Sequence, residues 1–236
     1  RAQAAGESPW PQGKVLALAY HDVEDADASQ AYMSVRTANL IEQLAWLKAN
    51  GYQAVSVDQL LAARQGGPAL PDKAVLLSFD DGYSSFYTRV LPILKAYQWP
   101  AVLAPVGVWM DTPADRPVDF GGLPVARERF VTWAQIHEIA ASGLVEIAAH
   151  TDALHYGALA NPQGNLEPAA TSLRFDPATG RYESQAQFDA RLRADVVAIS
   201  NKIQTVTGKK PRVWVWPYGA AKGTSLAIVG EQGYQM

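Results

Sequence analysis

The chain has 236 residues, 48% of them hydrophobic and 18% charged, which is enough for one large core. A formal net charge of -3, with no basic run longer than Lys209-Lys210, excludes nucleic acid as the expected partner, and no apolar stretch reaches the roughly 20 residues of a membrane span. Zero cysteines exclude disulfides, thiolate metal sites and a cysteine nucleophile, so any metal must be held by His, Asp or Glu.

Strand and helix patterns alternate along the chain. It begins at Arg1 without a methionine or a signal peptide, which reads as a processed or trimmed start. "KVLALAY" (14–20) reads as a buried strand, followed by an acidic loop at 22–32. Thr37 reads as the N-cap of a helix with Leu40, Leu44 and Leu47 on one face, stopped by Asn50-Gly51. "AVLLSF" (74–79) is the next strand. Phe86, Val90, Leu94 and Tyr97 then recur at helical spacing, with Pro92 predicting a kink or a late helix start. "AVLAPV" (101–106), "WAQIHEIAASG" (133–143) and "LVEIAAH" (144–150) continue as strand, helix and strand. Residues 158–183 form a long insertion without periodicity, and loops of that size are functional or disordered. Ser184 and Gln187 make a capping box for a helix carrying Phe188, Leu192, Val196, Ile199, Ile203 and Val206, closed by Gly208. "RVWVWPYG" (212–219) reads as a strand and "SLAIVGEQGY" (225–234) as a last helix. Continuously apolar strands between helices mean a parallel sheet covered on both faces, in a barrel or an open doubly wound arrangement. Both place active sites at the carboxyl ends of the strands.

The polar residues of interest fall at such ends. His21-Asp22 follows the first strand, Asp80-Asp81-Gly82 the second, and His150-Thr151-Asp152 a later one, with His155 close behind. His137, on a helix, reads as an ordinary partly exposed residue. Asp80-Asp81 alone is also turn and capping chemistry, and the Asp-x-Asp-Gly pattern of haloacid dehalogenase-like phosphatases is missing. His150 and His155 cannot pair on a helix, where five residues turn about 140°, but they can converge across a strand end and a turn. Two imidazoles and one carboxylate make a three-ligand site with positions left open for water and substrate. Neighbouring side chains leave an extended backbone on opposite sides, so one aspartate can hold a cation while the other stays a base.

Three motifs in order carry a resemblance: "SFDDG" (78–82), "HTDALH" (150–155) and "RVWVWP" (212–217). Together they resemble the polysaccharide deacetylase family, the NodB-homology domains of carbohydrate esterase family four. "LALAYHDV", "WPYGA" and the long insertion are further similar to the subgroup of N-deacetylases acting on poly-β-1,6-N-acetylglucosamine in biofilm export. The resemblance implies an α/β fold, a distorted TIM-like (β/α)7 barrel with mostly parallel strands, incomplete at its C-terminus. It implies one deacetylase domain over residues 1–236, a fragment of a longer chain whose glycoside-hydrolase-like domain lies beyond. Asp80 would be the general base, His21 the general acid, and Asp81, His150 and His155 the ligands of one divalent ion. Arg212 would pair with Asp80. That donor set suits zinc, nickel, cobalt or iron(II). Tyr83 would contribute through its backbone N–H. Trp216 and Tyr218 could face a sugar ring, although Trp216 reads equally well as core.

The reaction implied is hydrolysis of N-acetyl groups on the polymer, with release of acetate. By the same analogy the address is periplasmic and associated with the outer membrane, as in a lipoprotein, with an export porin as partner. A binding module on the same fold is the alternative, although such a module would be expected to lose Asp80 or a ligand. A glycosidase using Asp80 and Asp81 fits poorly, because its two carboxyl groups must flank a glycosidic bond roughly 5–9.5 Å apart.

Overall fold

The computed structural model describes residues 13–236, and the start at Arg1 lies outside them. Apolar runs set the frame. β1 (Val15–Tyr20) leads through the short β2 (Val23–Glu24) and β3 (Val35–Arg36) into α1 (Thr37–Ala49), which buries Leu40, Leu44 and Leu47. Arg36, not Thr37, is the capping position of α1. Thr37 Oγ1 instead donates to Asp25, holding the helix against the acidic loop. β4 (Gln53–Ala54) and α2 (Val57–Arg64) follow, the helix opened by a Ser56/Gln59 capping box.

β5 (Ala74–Asp81) is the longest strand among the described residues, buried at all but two positions. Val75, Leu77 and Phe79 fill the main core, while Leu76 joins the smaller clusters on the other side, the alternation that a pleated strand requires. After a π-helical turn at Phe86–Val90, α3 (Leu91–Tyr97) starts late with Pro92 in its first turn, where a missing N–H costs nothing. β6 (Ala101–Pro105), α4 (Gly107–Asp111) and a hairpin of β7 (Val118–Phe120) and β8 (Leu123–Val125) come next. α5 (Trp133–Ala141) and β9 (Val145–Ile147) close the repeating pattern.

β1, β5, β6 and β9 lie side by side in that order, all parallel, with β4 against the start of β5. The segment expected as a strand at 212–219 is reduced to a parallel bridge between Ala149 and Trp214. Pro211 and Pro217 flank it and can donate no ladder bond. The chain's last residues bond to it in turn, Gln235 N–H to the Arg212 carbonyl and Trp214 N–H to that of Met236. The fold is thus α/β with a mostly parallel sheet, and this wall of strands is consistent with a distorted barrel.

The insertion is not structureless. It folds into two short hairpins, β10 (Gly157–Leu159) with β11 (Leu166–Pro168), and β12 (Phe175–Asp176) with β13 (Arg181–Tyr182). α6 (Gln185–Thr207) runs beneath it for 23 residues, capped at Ser184 as its sequence requires and ended by Gly208 at φ 73°. Arg191 of α6 donates to the carbonyls of Ala169 and Ser172 and pairs with Glu183, tying the insertion to the helix. α7 (Gly223–Glu231) packs on α6.

Candidate metal centre

The register of the sheet brings the polar strand ends to one edge. Asp80 pairs with Ala104 and Asp81 with Pro105, while Tyr20 pairs with Phe79, so His21 leaves β1 at the level of Asp80. Asp81 and Gly82 then both take positive φ, 73° and 76°. Aspartate tolerates this conformation better than most residues. At Gly82 a side chain would be strained by the positive φ and crowded by Pro105, whose Cβ would lie 3.1 Å away. Thr151 (72°) and Tyr218 (58°) are also left-handed. A β-branched residue in that region is a true outlier, so three strained non-glycine positions surround one site.

Asp81, His150 and His155 converge, as the family resemblance implies. Asp81 Oδ1 lies 3.4 Å from His150 Nε2 and 3.2 Å from His155 Nε2. The three ligand atoms fall within 4.8 Å of one another, a grouping that could hold a metal ion. Asp81 Oδ1 is buried yet has no partner in proper hydrogen-bond geometry. A buried carboxylate oxygen without a partner is costly, and three lone-pair atoms aimed at one point are what a cation needs. His150 Nδ1 lies 2.9 Å from the Val215 carbonyl, so its proton sits there and Nε2 is left as a donor to a metal. The residues fit one divalent ion.

The electrostatics agree. Burial works against ionising Asp81, but the adjacent imidazoles outweigh it and hold its pKa well below the carboxylate range. His150 is pushed the other way: burial opposes its charge, and the carboxylates of Asp81 and Asp80 more than compensate. The pocket calls for positive charge.

Asp80 is buried beside this triad and accepts from Ser78 Oγ at 2.9 Å. Arg212 does not reach it. Arg212 precedes the Trp214 bridge and so lies at the opposite end of the sheet, where it makes two bonds to Glu146 (3.1 and 2.7 Å) and one to Asp58 (2.7 Å). The expected Arg212–Asp80 pair is therefore replaced by a structural ion-pair cluster. Tyr83 is 1% exposed, its ring stacked on Phe130 and its buried hydroxyl without a hydrogen-bond partner. Burial first, then the charges of Asp81 and Asp22, push its phenol pKa up. Tyr218 is exposed with its ring 4.9 Å from that of His155, and Trp216 is half-buried against Trp214.

Several contributors escaped the sequence reading. Trp109 and Phe120 pack around His155, and a cavity of about 470 Å³ lined by Trp109, Asp119 and Tyr156 opens beside that histidine. Asp22, noted in the sequence only for its place at a strand end, is buried on Ser34, Ser85 and Arg129, which anchors the end of β1. Asp195 of α6 bonds the loop between the two histidines. Its signal was present, since it falls three residues after Leu192 and four before Ile199 on the apolar stripe.

A parallel α/β sheet carrying a two-histidine, one-aspartate centre and a separate buried aspartate at its strand ends defines a hydrolase-like, single-ion architecture. The chain belongs to the polysaccharide deacetylase family, whose model matches residues 67–236. It is 50% identical over its full length to a poly-β-1,6-N-acetyl-D-glucosamine N-deacetylase of Escherichia coli (strain K12), of which it spans 35%. Among solved structures it resembles a de-N-acetylase from Aggregatibacter actinomycetemcomitans, with 42% identity, a TM-score of 0.88, and 93% of this chain and 85% of that one covered. The BpsB deacetylase domain from Bordetella bronchiseptica follows with 40% identity and a TM-score of 0.83 over the same shares.

Proposed function

We propose that this chain is the deacetylase domain of a longer polypeptide and hydrolyses N-acetyl groups of N-acetylglucosamine units in poly-β-1,6-N-acetylglucosamine, releasing acetate. The observation that carries this reading is the convergence of Asp81, His150 and His155 around a buried carboxylate oxygen that lacks a hydrogen-bond partner, with Asp80 buried next to Asp81 in the chain. Asp81, His150 and His155 hold one divalent ion, for which zinc, nickel, cobalt and iron(II) all suit the donor set. When bound, such an ion polarises an acyl carbonyl and acidifies water. Asp80, kept off the ligand set by the turn at Asp81 and oriented by Ser78, accepts the proton of the attacking water. His21, at the neighbouring strand end, donates a proton to the departing sugar nitrogen, because an amine leaves poorly as an anion. The Tyr83 N–H offers a donor to the acyl oxygen. Tyr218 gives a sugar ring an exposed aromatic face.

The relatives' names support the substrate, and 35% coverage of the curated relative supports a longer polypeptide, in which the proposal places a glycoside-hydrolase-like domain. Among the described residues no helix is long and apolar enough to cross a membrane. A periplasmic, outer-membrane-associated address and an export porin as partner complete the proposal. Acetate release from N-acetylglucosamine oligomers, measured with and without a chelator, tests it. The expected result is release that the chelator stops. New reducing ends in place of acetate would indicate a glycosidase, and sugar binding without either product a binding module.

A further inference from the structure

We propose that Asp195 is a positioning residue that shapes the loop between His150 and His155 so that both imidazoles reach one ion; this rests on the metal centre proposed above. The loop must reverse within four residues while carrying an imidazole at each end, and the left-handed Thr151 shows that it does so under strain. Such a turn persists only if its surroundings impose it. The surroundings here are specific. Asp195 Oδ2 accepts from the Asp152 N–H at 2.8 Å and Oδ1 from the Ala153 N–H at 2.7 Å, so both carboxylate oxygens are committed to consecutive loop amides. On the other side α4 donates to the loop, Gly107 N–H to the Thr151 carbonyl (3.1 Å) and Val108 N–H to that of Asp152 (2.9 Å).

The loop is packed too closely for this to be incidental. A Cβ on Gly107 would stand 2.0 Å from Asp152 Oδ1 and 3.1 Å from Ile199 Cδ1, so a side chain there would have to displace the Asp152 carboxylate. Asp195 itself is 7% exposed among Leu192, Val196 and Ile199, a stripe that an apolar residue would fill at no electrostatic cost. Burying a carboxylate there is unfavourable unless its oxygens are used. The helix gains nothing from it in capping, since Ser184 and Gly208 serve its two ends. What the carboxylate does is fix the two amides midway between the ligands. Outer partners of metal ligands act in this manner, by holding the inner groups at the distance and angle that the ion needs.

The test is metal binding, measured independently of turnover. Zinc affinity is read by competition with a chromogenic chelator, and ligand geometry by the visible absorption of the cobalt(II)-loaded protein. Asp195→Asn, which turns an amide donor toward one of the loop N–H groups, is expected to weaken zinc binding about 10- to 100-fold and to alter the cobalt spectrum. Asp195→Glu, which keeps both acceptors, is expected to recover part of each. A folded Asp195→Asn protein with wild-type zinc affinity and an unchanged cobalt spectrum overturns the inference. Should that variant not fold, Asp195→Ser, smaller and without an amide donor, is read by the same two criteria. Wild-type protein that binds no zinc overturns the metal centre along with it. Wild-type protein that binds zinc, loses it in His150→Ala, and is indifferent to residue 195 overturns this inference alone.

Discussion

The two ends of the parallel sheet treat their charges in opposite ways. At the amino end Arg212 meets Glu146 and Asp58 with three hydrogen bonds, on unstrained backbone and partly in water. At the carboxyl end Asp81 is buried on left-handed backbone, its Oδ1 lacks a hydrogen-bond partner, and the two imidazoles beside it offset its charge. The first arrangement is what stability alone selects. The second costs stability, and it is maintained by neighbours such as Asp195 and the glycines at 82 and 107. Charges that satisfy one another hold a fold together; charges left wanting a partner are available to a ligand.

The sharpest way to break this contrast is at Asp80. Asp80→Asn is expected to lower acetate release by about 10²- to 10⁴-fold, the range for losing a general base, while zinc affinity stays within a few-fold of wild type. Loss of the ion together with activity would instead make Asp80 a ligand. Next is His155→Ala, which should weaken zinc by more than roughly 100-fold, beyond the cost of losing an outer partner, as read by chelator competition. A pH titration of stability sharpens the comparison within the carboxyl end. Burial raises the Asp195 pKa to about 6, its two backbone amides and Lys202 opposing the rise and Asp152 adding to it. The folded state therefore holds this proton more tightly than the unfolded chain does. Its contribution is complete below about pH 4 and is lost as pH climbs through about 6. Up to roughly 3 kcal/mol is at stake, at about 1.4 kcal/mol per tenfold change in proton affinity. Urea unfolding between pH 4 and 7 should show that fall, and Asp195→Asn should flatten it.

Smaller effects follow. Gly82→Ala should cost about 2 kcal/mol, the penalty for a side chain in left-handed backbone, in a thermal or urea melt. Arg212→Met should cost only about 1 kcal/mol, as partly exposed ion pairs do, and should leave acetate release unchanged. A large fall in turnover at Arg212 would mean that the amino end is not the passive one.

Much of this was legible in the residues. The 3.6-residue stripe of α6 and its capping box fixed that helix, and the abrupt change from apolar run to carboxylates or imidazoles marked the strand ends. Convergence of Asp81, His150 and His155 was implied by the family resemblance that the ordered motifs carry. Arg212 was misjudged because a motif gives spacing along the chain, not which end of a strand a side chain occupies. Thr37 was misjudged for a related reason: its hydroxyl found Asp25, a partner outside the helix, and the capping position moved to Arg36. The hairpins of the insertion were invisible, since ladders of two or three residues leave no period to detect.

The clasp of Arg191 on Ala169, Ser172 and Glu183 bears on how the proposed substrate would meet the site. Fastened to a 23-residue helix, the segment after His155 behaves as a fixed bank, not a flap. For the substrate proposed above, that bank would present a standing contour to the polymer.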